Sequence, residues 1–340
     1  MACVTILNKG RTIDVPAGKT ILEAAIDAGI DYPFGCHSGL CGACKSRVVT
    51  GTARMQPCSE LALPHADRDA GLVLACRAEP VDFCVVVYDD DPEAPQHQVR
   101  TIETLVAEAI PATHDIVILK LSLPAGIRPL AFSAGQFARL SFPGASSRDY
   151  SMASRPDETA LAFHIRRVVG GAASGIAHDP AIIGAKVVLQ GPFGTSYLRE
   201  RHDGPILAVA GGSGLAPILA IVETALRQGR DRSIRLYFGV REERDLYLLE
   251  RLDALAASHA NFSYLPVLSH TRGPTDRRTG YLADILEADL GPLAGWKAYL
   301  AGPPIMAETV TRVLQARGLG IGDIHADPFY TAADRPAETV

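Results

Sequence analysis

Four cysteines constrain this chain more than any other residues. Cys36, Cys41 and Cys44 stand in a C-x4-C-x2-C spacing, and Cys76 follows downstream. Gly35, Gly39 and Gly42 interleave the first three. Several thiolates that must converge on one small centre force the backbone to turn sharply between them. Glycine permits such turns and lets backbone N–H groups approach the sulfurs. The spacing is that of a [2Fe–2S] cluster, with Cys36, Cys41, Cys44 and Cys76 as its ligands. A structural zinc site and buried free cysteines are the alternatives. Zinc ribbons favour paired C-x2-C knuckles, and the chain has only one such pair. Cys3 and Cys84 lie in strand-like runs and read as small core residues, and Cys58 is not expected to be a ligand either.

Composition narrows the setting. Five of the seven cysteines fall between Cys36 and Cys76, which suits a metal site in the cytoplasm better than a framework of secreted disulfides. Met1–Asn8 has no charged segment leading into a long apolar core, so no signal peptide is expected. The 340 residues are too many for one compact core and imply two or three domains. A hydrophobic content of 47% with 21% charged residues is that of an ordinary soluble globular protein. The net charge of -5 argues against a nucleic-acid partner. The longest uncharged run, Pro205 to Val222, is broken by Gly211, Gly212, Gly214 and Pro217. It reads as a buried strand, a glycine turn and a helix start, and no membrane partner is expected.

Three regions follow in order. Residues 1–92 carry eight lysines and arginines against twelve acids, a charge of -4, so most of the net charge sits on this small segment. It opens as a hairpin about Asn8–Gly10. A helix capped by Thr20 and Glu23 follows and ends at Gly29, with later strands near Ser46–Thr50 and Cys84–Tyr88. Asp89, Asp90 and Asp91 run into Pro92, Glu93, Ala94 and Pro95, and residues 93–101 read as a linker. Residues 102–202 hold short apolar runs between Gly, Pro and Ser, such as 116–123, 137–142, 160–165 and 186–189, the pattern of an antiparallel barrel. Residues 203–330 alternate strand and helix, so a parallel sheet covered on both faces is expected. Its helices are placed at Leu215–Gln228, Leu246–Ser258, Leu282–Ala288 and Met306–Arg317. Residues 331–340 read as a flexible tail.

The barrel region contains Arg148-Asp149-Tyr150-Ser151. An arginine fork binds a diphosphate, a tyrosine lies flat on an isoalloxazine ring, and a serine hydroxyl tunes a ring nitrogen for hydride acceptance. Alternation puts Arg148 and Tyr150 on one strand face. Alone this is a weak motif, and an ordinary surface strand explains it better. Downstream, Gly171-Ala172-Ala173-Ser174 pairs a glycine turn with a serine at a helix start, an arrangement that cradles phosphate. In the third region Gly211-Gly212-Ser213-Gly214 joins a strand to a helix, where N–H groups and the helix dipole favour a pyrophosphate. It departs from G-x-G-x-x-G, so a plain tight turn is its alternative. Gly239-Val240-Arg241 and Ala301-Gly302-Pro303-Pro304 end later strands, at the edge where ligands bind in open α/β sheets.

These segments resemble known families. Residues 36–44 with Cys76 look like a plant-type ferredoxin, which implies an N-terminal β-grasp domain over 1–92. Gly135-Gln136-Phe137, Arg148–Ser151, Phe163-His164-Ile165-Arg166, Gly171–Ser174 and Gly191-Pro192-Phe193-Gly194 occur in the order found in the ferredoxin–NADP reductase superfamily. The resemblance implies that Arg148, Tyr150, Ser151, His164, Ile165, Arg166, Gly171, Ala172 and Ser174 bind flavin, FAD rather than FMN. It implies that Gly211, Gly212, Ser213, Gly214, Gly239, Arg241, Gly302 and Pro303 bind the nicotinamide dinucleotide. His325-Ala326-Asp327-Pro328-Phe329-Tyr330 is similar to the superfamily's acidic-x-aromatic terminus. Phe329 is then the aromatic that covers the flavin face, and it joins Ser151 and Tyr150 as a catalytic residue. Many relatives have a cysteine where this chain has Ala301. Arg241 and Arg244 would welcome a 2′-phosphate and Glu242 and Glu243 would repel it, so NADH is favoured with NADPH tolerated.

The module order resembles the reductase components of bacterial Rieske-type ring-hydroxylating dioxygenases, most of all the naphthalene dioxygenase type. It implies an NADH-dependent oxidoreductase passing electrons through FAD and [2Fe–2S] to a Rieske ferredoxin. Direct delivery to an oxygenase or monooxygenase component and a deoxysugar-forming reductase are alternatives within enzymes. A zinc-stapled binding protein on a degenerate reductase scaffold is the alternative outside them. The acidic N-terminal segment implies docking on a basic partner surface.

Overall fold

The computed structural model describes residues 2–330, apart from 31, 36, 38, 40, 61, 89–92, 94 and 96. The expected ligand Cys36, the acidic run 89–91 and the tail 331–340 therefore lie outside the described residues. The chain divides into two compact units. One holds the stretch up to Val99 together with Phe193–Thr195, and the other holds Arg100–Pro192 and Ser196–Phe329.

The first unit contains β1 (Ala2–Ile6), β2 (Arg11–Val15), α1 (Ile21–Asp27), β3 (Lys45–Met55), α2 (His65–Asp69), β4 (Leu72–Leu74) and β5 (Ala78–Val87). The strands form one sheet in the order β2-β1-β5-β3-β4. β1 is antiparallel to β2 and parallel to β5, the mixed sheet of a β-grasp fold. The Thr20 hydroxyl accepts from Glu23 N while the Glu23 carboxylate accepts from Thr20 N, so a capping box starts α1 as the sequence implies. The helix buries Ile21, Leu22, Ala24 and Ala25. Leu22 N donates to Ala75 O, which ties α1 to the residue before Cys76.

In the second unit β6 (Arg100–Pro111), β7 (Ile116–Ser122), β8 (Phe137–Ser141), β9 (Arg148–Ser151), β10 (Leu161–Arg166), α3 (Ala172–Ala177) and β11 (Lys186–Phe193) come first. β6 begins inside the stretch read as a linker, because Arg100 and Thr101 already pair with β11. The six strands run in the order β10-β7-β6-β11-β8-β9. A bridge between Met152 and Phe163 joins the two end strands, and Ala153 N donates to Ala162 O beside it. Leu119, Leu121, Leu140, Phe163, Val187 and Leu189 fill the interior.

The remainder is β12 (Ile206–Gly211), α4 (Leu215–Arg227), β13 (Ile234–Val240), α5 (Leu249–Ser258), β14 (Phe262–Leu268), β15 (Arg278–Thr279), α6 (Leu282–Asp289), β16 (Lys297–Gly302), α7 (Pro304–Ala316) and β17 (Ile324–Pro328). The sheet is parallel, in the order β15-β14-β13-β12-β16-β17. Every residue of β12 is buried. Ala208 and Ala210 face the core of α4 and α5, while Leu207 and Val209 face that of α6 and α7. Period-two alternation thus supplies both cores of a doubly covered sheet.

One helix begins later than the sequence suggests. Residues 246–248 precede α5 rather than opening it, and Leu248 takes a left-handed φ of 57°. The Asp245 carboxylate accepts from Glu242 N and closes a separate turn. Tyr247 is drawn into the core between His164 and Phe238 instead of continuing a helical face.

Glu223 on α4 fastens the parts of this unit. It is buried and accepts from Arg251 of α5 at 2.6 Å on each oxygen and from Arg155, after β9, at 3.2 Å. Removing Glu223 takes away charge-assisted hydrogen bonds to both arginines, while Arg155 keeps Asp157 and Glu158 as partners. Glu223→Ala is expected to lower stability by about 2 kcal/mol, less than a fully buried pair because Arg251 is partly exposed. A denaturant midpoint unchanged from wild type would show that the pair carries no weight.

Candidate functional site

The cysteine loop is shaped as a metal-binding loop must be. His37, Gly39 and Gly42 all take left-handed φ values, of 55°, 75° and 76°. A side chain on Gly39 would come within 2.8 Å of Cys58 Cβ, and one on Gly35 within 3.2 Å of Cys41 Sγ. Cys44 and Cys76 are buried, and Cys76 N points at Cys44 Sγ at 3.4 Å. A backbone amide directed at a ligand sulfur is what a negatively charged cluster requires. Cys41, Cys44 and Cys76 therefore fit the cluster. Cys58 lies beside the loop and accepts from Arg68 at 3.4 Å.

Barrel closure assembles the expected flavin residues. β9 ends at Ser151, one residue before the bridge, and His164 follows Phe163 directly. Arg148 and Asp149 are exposed, Tyr150 is half-buried and Ser151 is buried. The Tyr150 ring packs against Phe142 at 6.4 Å, and burial pushes its hydroxyl up to about 12. Ser174 is buried at the start of α3, where its Oγ accepts from Val168 N at 3.1 Å and donates to Gly171 O at 3.2 Å. A Cβ on Gly171 would meet Ser174 Oγ at 2.7 Å, so the loop about Ala172 is closed to bulk. The glycine loop, the cation of Arg148 and the half-buried aromatic Tyr150 fit a flavin nucleotide.

His164 takes a different place from its neighbours. It is buried, and its Nδ1 lies 2.9 Å from Tyr247 Oη. Tyr247 Oη also lies 3.4 Å from Gly212 O, which links the histidine to the glycine turn. Burial, aided by Arg251, lowers His164 to about 3, so the ring stays neutral. Ile165 is buried in the barrel core. Arg166 pairs with Asp115 at 2.8 Å, and a methyl on Gly212 would stand 3.8 Å from its Nη1. Burial works upward on the Asp115 carboxyl, but Arg166 outweighs it and holds the group below its usual range.

The glycine turn sits where β12 separates neighbours that lead in opposite directions, β13 on one side and β16 on the other. Such a switch point opens a crevice at the C-terminal strand ends. A Cβ on Gly214 would lie 2.0 Å from Ala301 O, and Gly302 has a φ of 142° with its own Cβ position 2.8 Å from Gly211 O. These glycines let β12, β16 and α4 close on each other, which explains them sterically. The N-terminus of α4 has no side-chain cap, and Ser213 and Gly212 remain partly exposed there. Leu215 N–H bonds back to Gly212 O and Ser213 O, so the partly exposed Gly212–Ser213 turn and the helix dipole behind it are what fit a pyrophosphate. Pro303 and Arg241 are exposed on the same edge, and Gly239 lies against Leu282.

Asp327 was not singled out as a site residue in the sequence. β17 places its carboxylate 2.7 Å from Ser151 Oγ, which donates to it. Burial raises the Asp327 carboxyl to about 6, against the opposing Ser151 bond and with Asp149 adding to the rise. Phe329 follows two residues later, half-buried, its N–H donating to Gly302 O at 2.8 Å. Ser151, Asp327, Gly302 and Phe329 are thus linked at one place. Only the D-P-F run hinted at Asp327.

Three family models match the chain. A 2Fe-2S iron-sulfur cluster binding domain covers residues 4–81, an oxidoreductase FAD-binding domain 103–197 and an oxidoreductase NAD-binding domain 208–312. The reductase component of the naphthalene 1,2-dioxygenase/salicylate 5-hydroxylase systems of Ralstonia sp is 39% identical over 318 residues, 94% of this chain and 95% of that protein. The phenol 2-monooxygenase reductase component of Pseudomonas sp. strain CF600 is 37% identical over 99% of this chain and 96% of its own. Among solved structures, the Amycolatopsis cytochrome P450 reductase superposes with a TM-score of 0.82 at 35% identity, covering 98% of this chain and 100% of that one.

The Asp327 shift has a sign that can be checked. A carboxyl raised in the fold is at full stability below its unfolded value near pH ~4 and loses stability as pH rises through about 6. Asp327→Asn does not titrate there. Its melting temperature relative to wild type is expected to be more favourable at pH 7.5 than at pH 4.5. A difference that does not change with pH would remove the shift.

Proposed function

We propose that this chain, which belongs to the ferredoxin–NAD(P)+ reductase components of bacterial aromatic-oxygenase systems, takes hydride from NADH and delivers electrons singly to a Rieske-type ferredoxin in the cytoplasm. Direct delivery to an oxygenase component is the second reading, and the similarity to the phenol 2-monooxygenase reductase favours it. The observation that carries the hydride step, common to both readings, is the meeting of Ser151, Asp327 and the Phe329 backbone at the end of β16, and the similarity to the naphthalene 1,2-dioxygenase/salicylate 5-hydroxylase reductase component favours a ferredoxin as acceptor. We assign the cluster to residues 1–92, FAD to 100–202 and the dinucleotide to 203–330, with the linker ending at Val99 because β6 begins at Arg100.

FAD when bound accepts a hydride and gives up electrons one at a time, which a [2Fe–2S] cluster can take. The chain's residues prepare that exchange. Arg148 supplies a cation for the diphosphate, and Tyr150 holds its ring against the barrel edge. Ser151 presents a hydroxyl whose proton is held by Asp327. With a carboxyl near 6, Asp327 is mostly ionised at neutral pH and accepts from the Ser151 hydroxyl. Phe329, fixed by its backbone to Gly302, guards the crevice that the nicotinamide enters. The uncapped start of α4 receives the pyrophosphate. Cys36, Cys41, Cys44 and Cys76 hold the cluster.

Anaerobic stopped-flow reduction by NADH tests the assignment. Ser151→Ala is expected to slow flavin reduction by about tenfold or more while FAD remains bound. An unchanged rate would remove Ser151 from the chemistry. Turnover with a Rieske ferredoxin is expected to fall as ionic strength rises, because the N-terminal domain is acidic. Indifference to salt, with equal or faster transfer to an oxygenase component, would favour the second reading.

A further inference from the structure

The turn Gly211–Gly214 owes its shape to glycine, and glycine leaves it free to take other shapes. Gly212 stands at a left-handed φ of 55°. Leu215 N–H holds Gly212 O from within the turn. From outside it, the Tyr247 hydroxyl lies 3.4 Å from the same oxygen. Tyr247 belongs to the segment between β13 and α5. It is buried, its ring edge-on to His164 at 5.3 Å and to Phe238 at 5.8 Å. His164 Nδ1 lies 2.9 Å from the tyrosine oxygen. That oxygen carries a single proton. Directed at Gly212 O, the proton leaves the oxygen to accept from Nδ1–H, and both contacts form at once. The same segment is tied to β10 a second time. Asp245 Oδ1 lies 3.5 Å from His114 Nδ1, and the neighbouring Asp115 accepts from Arg166 at 2.8 Å. His164 and Arg166 share one face of β10, so that face supports the glycine turn by two routes.

A trans peptide is planar, so its C=O and the N–H that follows point in opposite directions. Fixing Gly212 O on the buried tyrosine therefore turns Ser213 N–H away from it. We infer that Tyr247 is a positioning residue for the dinucleotide: its hydroxyl, accepting from His164 Nδ1, locks the Gly212–Ser213 peptide in the orientation that receives the pyrophosphate. The inference rests on the assignment of the pyrophosphate to this turn. A turn ordered before the nucleotide arrives spends less of the binding free energy on ordering. The hydroxyl acts on a peptide and not at the nicotinamide, so its loss is felt in binding and not in hydride transfer. Its anchor is a residue of the strand assigned to flavin, which makes dinucleotide affinity depend on that strand.

The test is calorimetric binding of ADP-ribose, which carries the pyrophosphate without the nicotinamide, to the full-length holoprotein. Tyr247→Phe keeps the ring and removes the hydroxyl. It is expected to weaken ADP-ribose by about fivefold and to raise the KM for NADH by a similar factor. The limiting rate of flavin reduction is expected to change by less than about twofold, with FAD still bound. His164→Leu is expected to weaken ADP-ribose by about the same factor alone, and by less than about twofold more when added to Tyr247→Phe, because both remove one chain of contacts. His164→Asn, whose amide can donate from near the Nδ1 position, is expected to restore part of the loss. If the His164 variants do not fold, Tyr247→Phe decides alone. Wild-type affinity for ADP-ribose in Tyr247→Phe would overturn the inference and leave the nucleotide site standing. So would a fall in limiting rate and FAD content as large as the fall in affinity, which would mark a general structural role, or losses at His164 and Tyr247 that simply add. Failure of the wild type to bind ADP-ribose or NADH would instead remove the nucleotide assignment, and the inference with it.

Discussion

Closure of the barrel between Met152 and Phe163 is the contact on which the rest of the candidate site depends. Strands β9 and β10 are the two ends of one sheet, and a single bridge with one flanking backbone bond joins them. The bridge sets Arg148–Ser151 beside His164–Arg166. Each of these short strands then reaches into the parallel sheet. Ser151 donates to Asp327, and His164 meets Tyr247, which meets Gly212. Residues on a loop could not hold such contacts without a rigid support, and closed strands supply it. Glu223 adds a charged fastening between Arg155 and Arg251 at the same junction.

A second constraint comes from electron counting. A nicotinamide gives two electrons together, and an iron–sulfur cluster accepts one. A chain that joins these chemistries needs a flavin site between a nucleotide site and a cysteine loop, and the three family models match in that arrangement. What the protein adds is positioning and charge. The Cys76 amide faces Cys44, a neutral histidine braces the glycine turn, and a carboxyl near 6 stands behind Ser151.

Much of this was legible in the sequence where the signal is local. Cysteine spacing and interleaved glycines mark a metal loop because three of the four expected ligands lie within residues 36–44. The two faces of the parallel sheet follow from the apolar run 206–210, and the capping box at Thr20 from a three-residue spacing. What stayed hidden depends on residues far apart in the chain. Ser151 and Asp327 are 176 positions apart, and His164 and Tyr247 are 83 apart, so no periodicity connects them. The same reason explains the helix placed three residues too early. Tyr247 carries an apolar helical pattern, but a buried hydrogen bond to His164 outweighs one more helical turn. The charges at Glu242 and Glu243 were visible, whereas their pairing with Arg272 and Arg277 depends on two strand ends meeting.

Everything above turns on one chain holding both a flavin and an iron–sulfur cluster that NADH reduces. The most direct measurement is the visible absorption spectrum of the purified protein under anaerobic conditions, before and after NADH, with its metal content. The expected result is a coloured protein with overlapping flavin and iron–sulfur bands, two irons per chain by the cluster's composition, and bleaching of both sets of bands on adding NADH. A colourless protein containing zinc, or a coloured one whose bands NADH leaves unchanged, would contradict it.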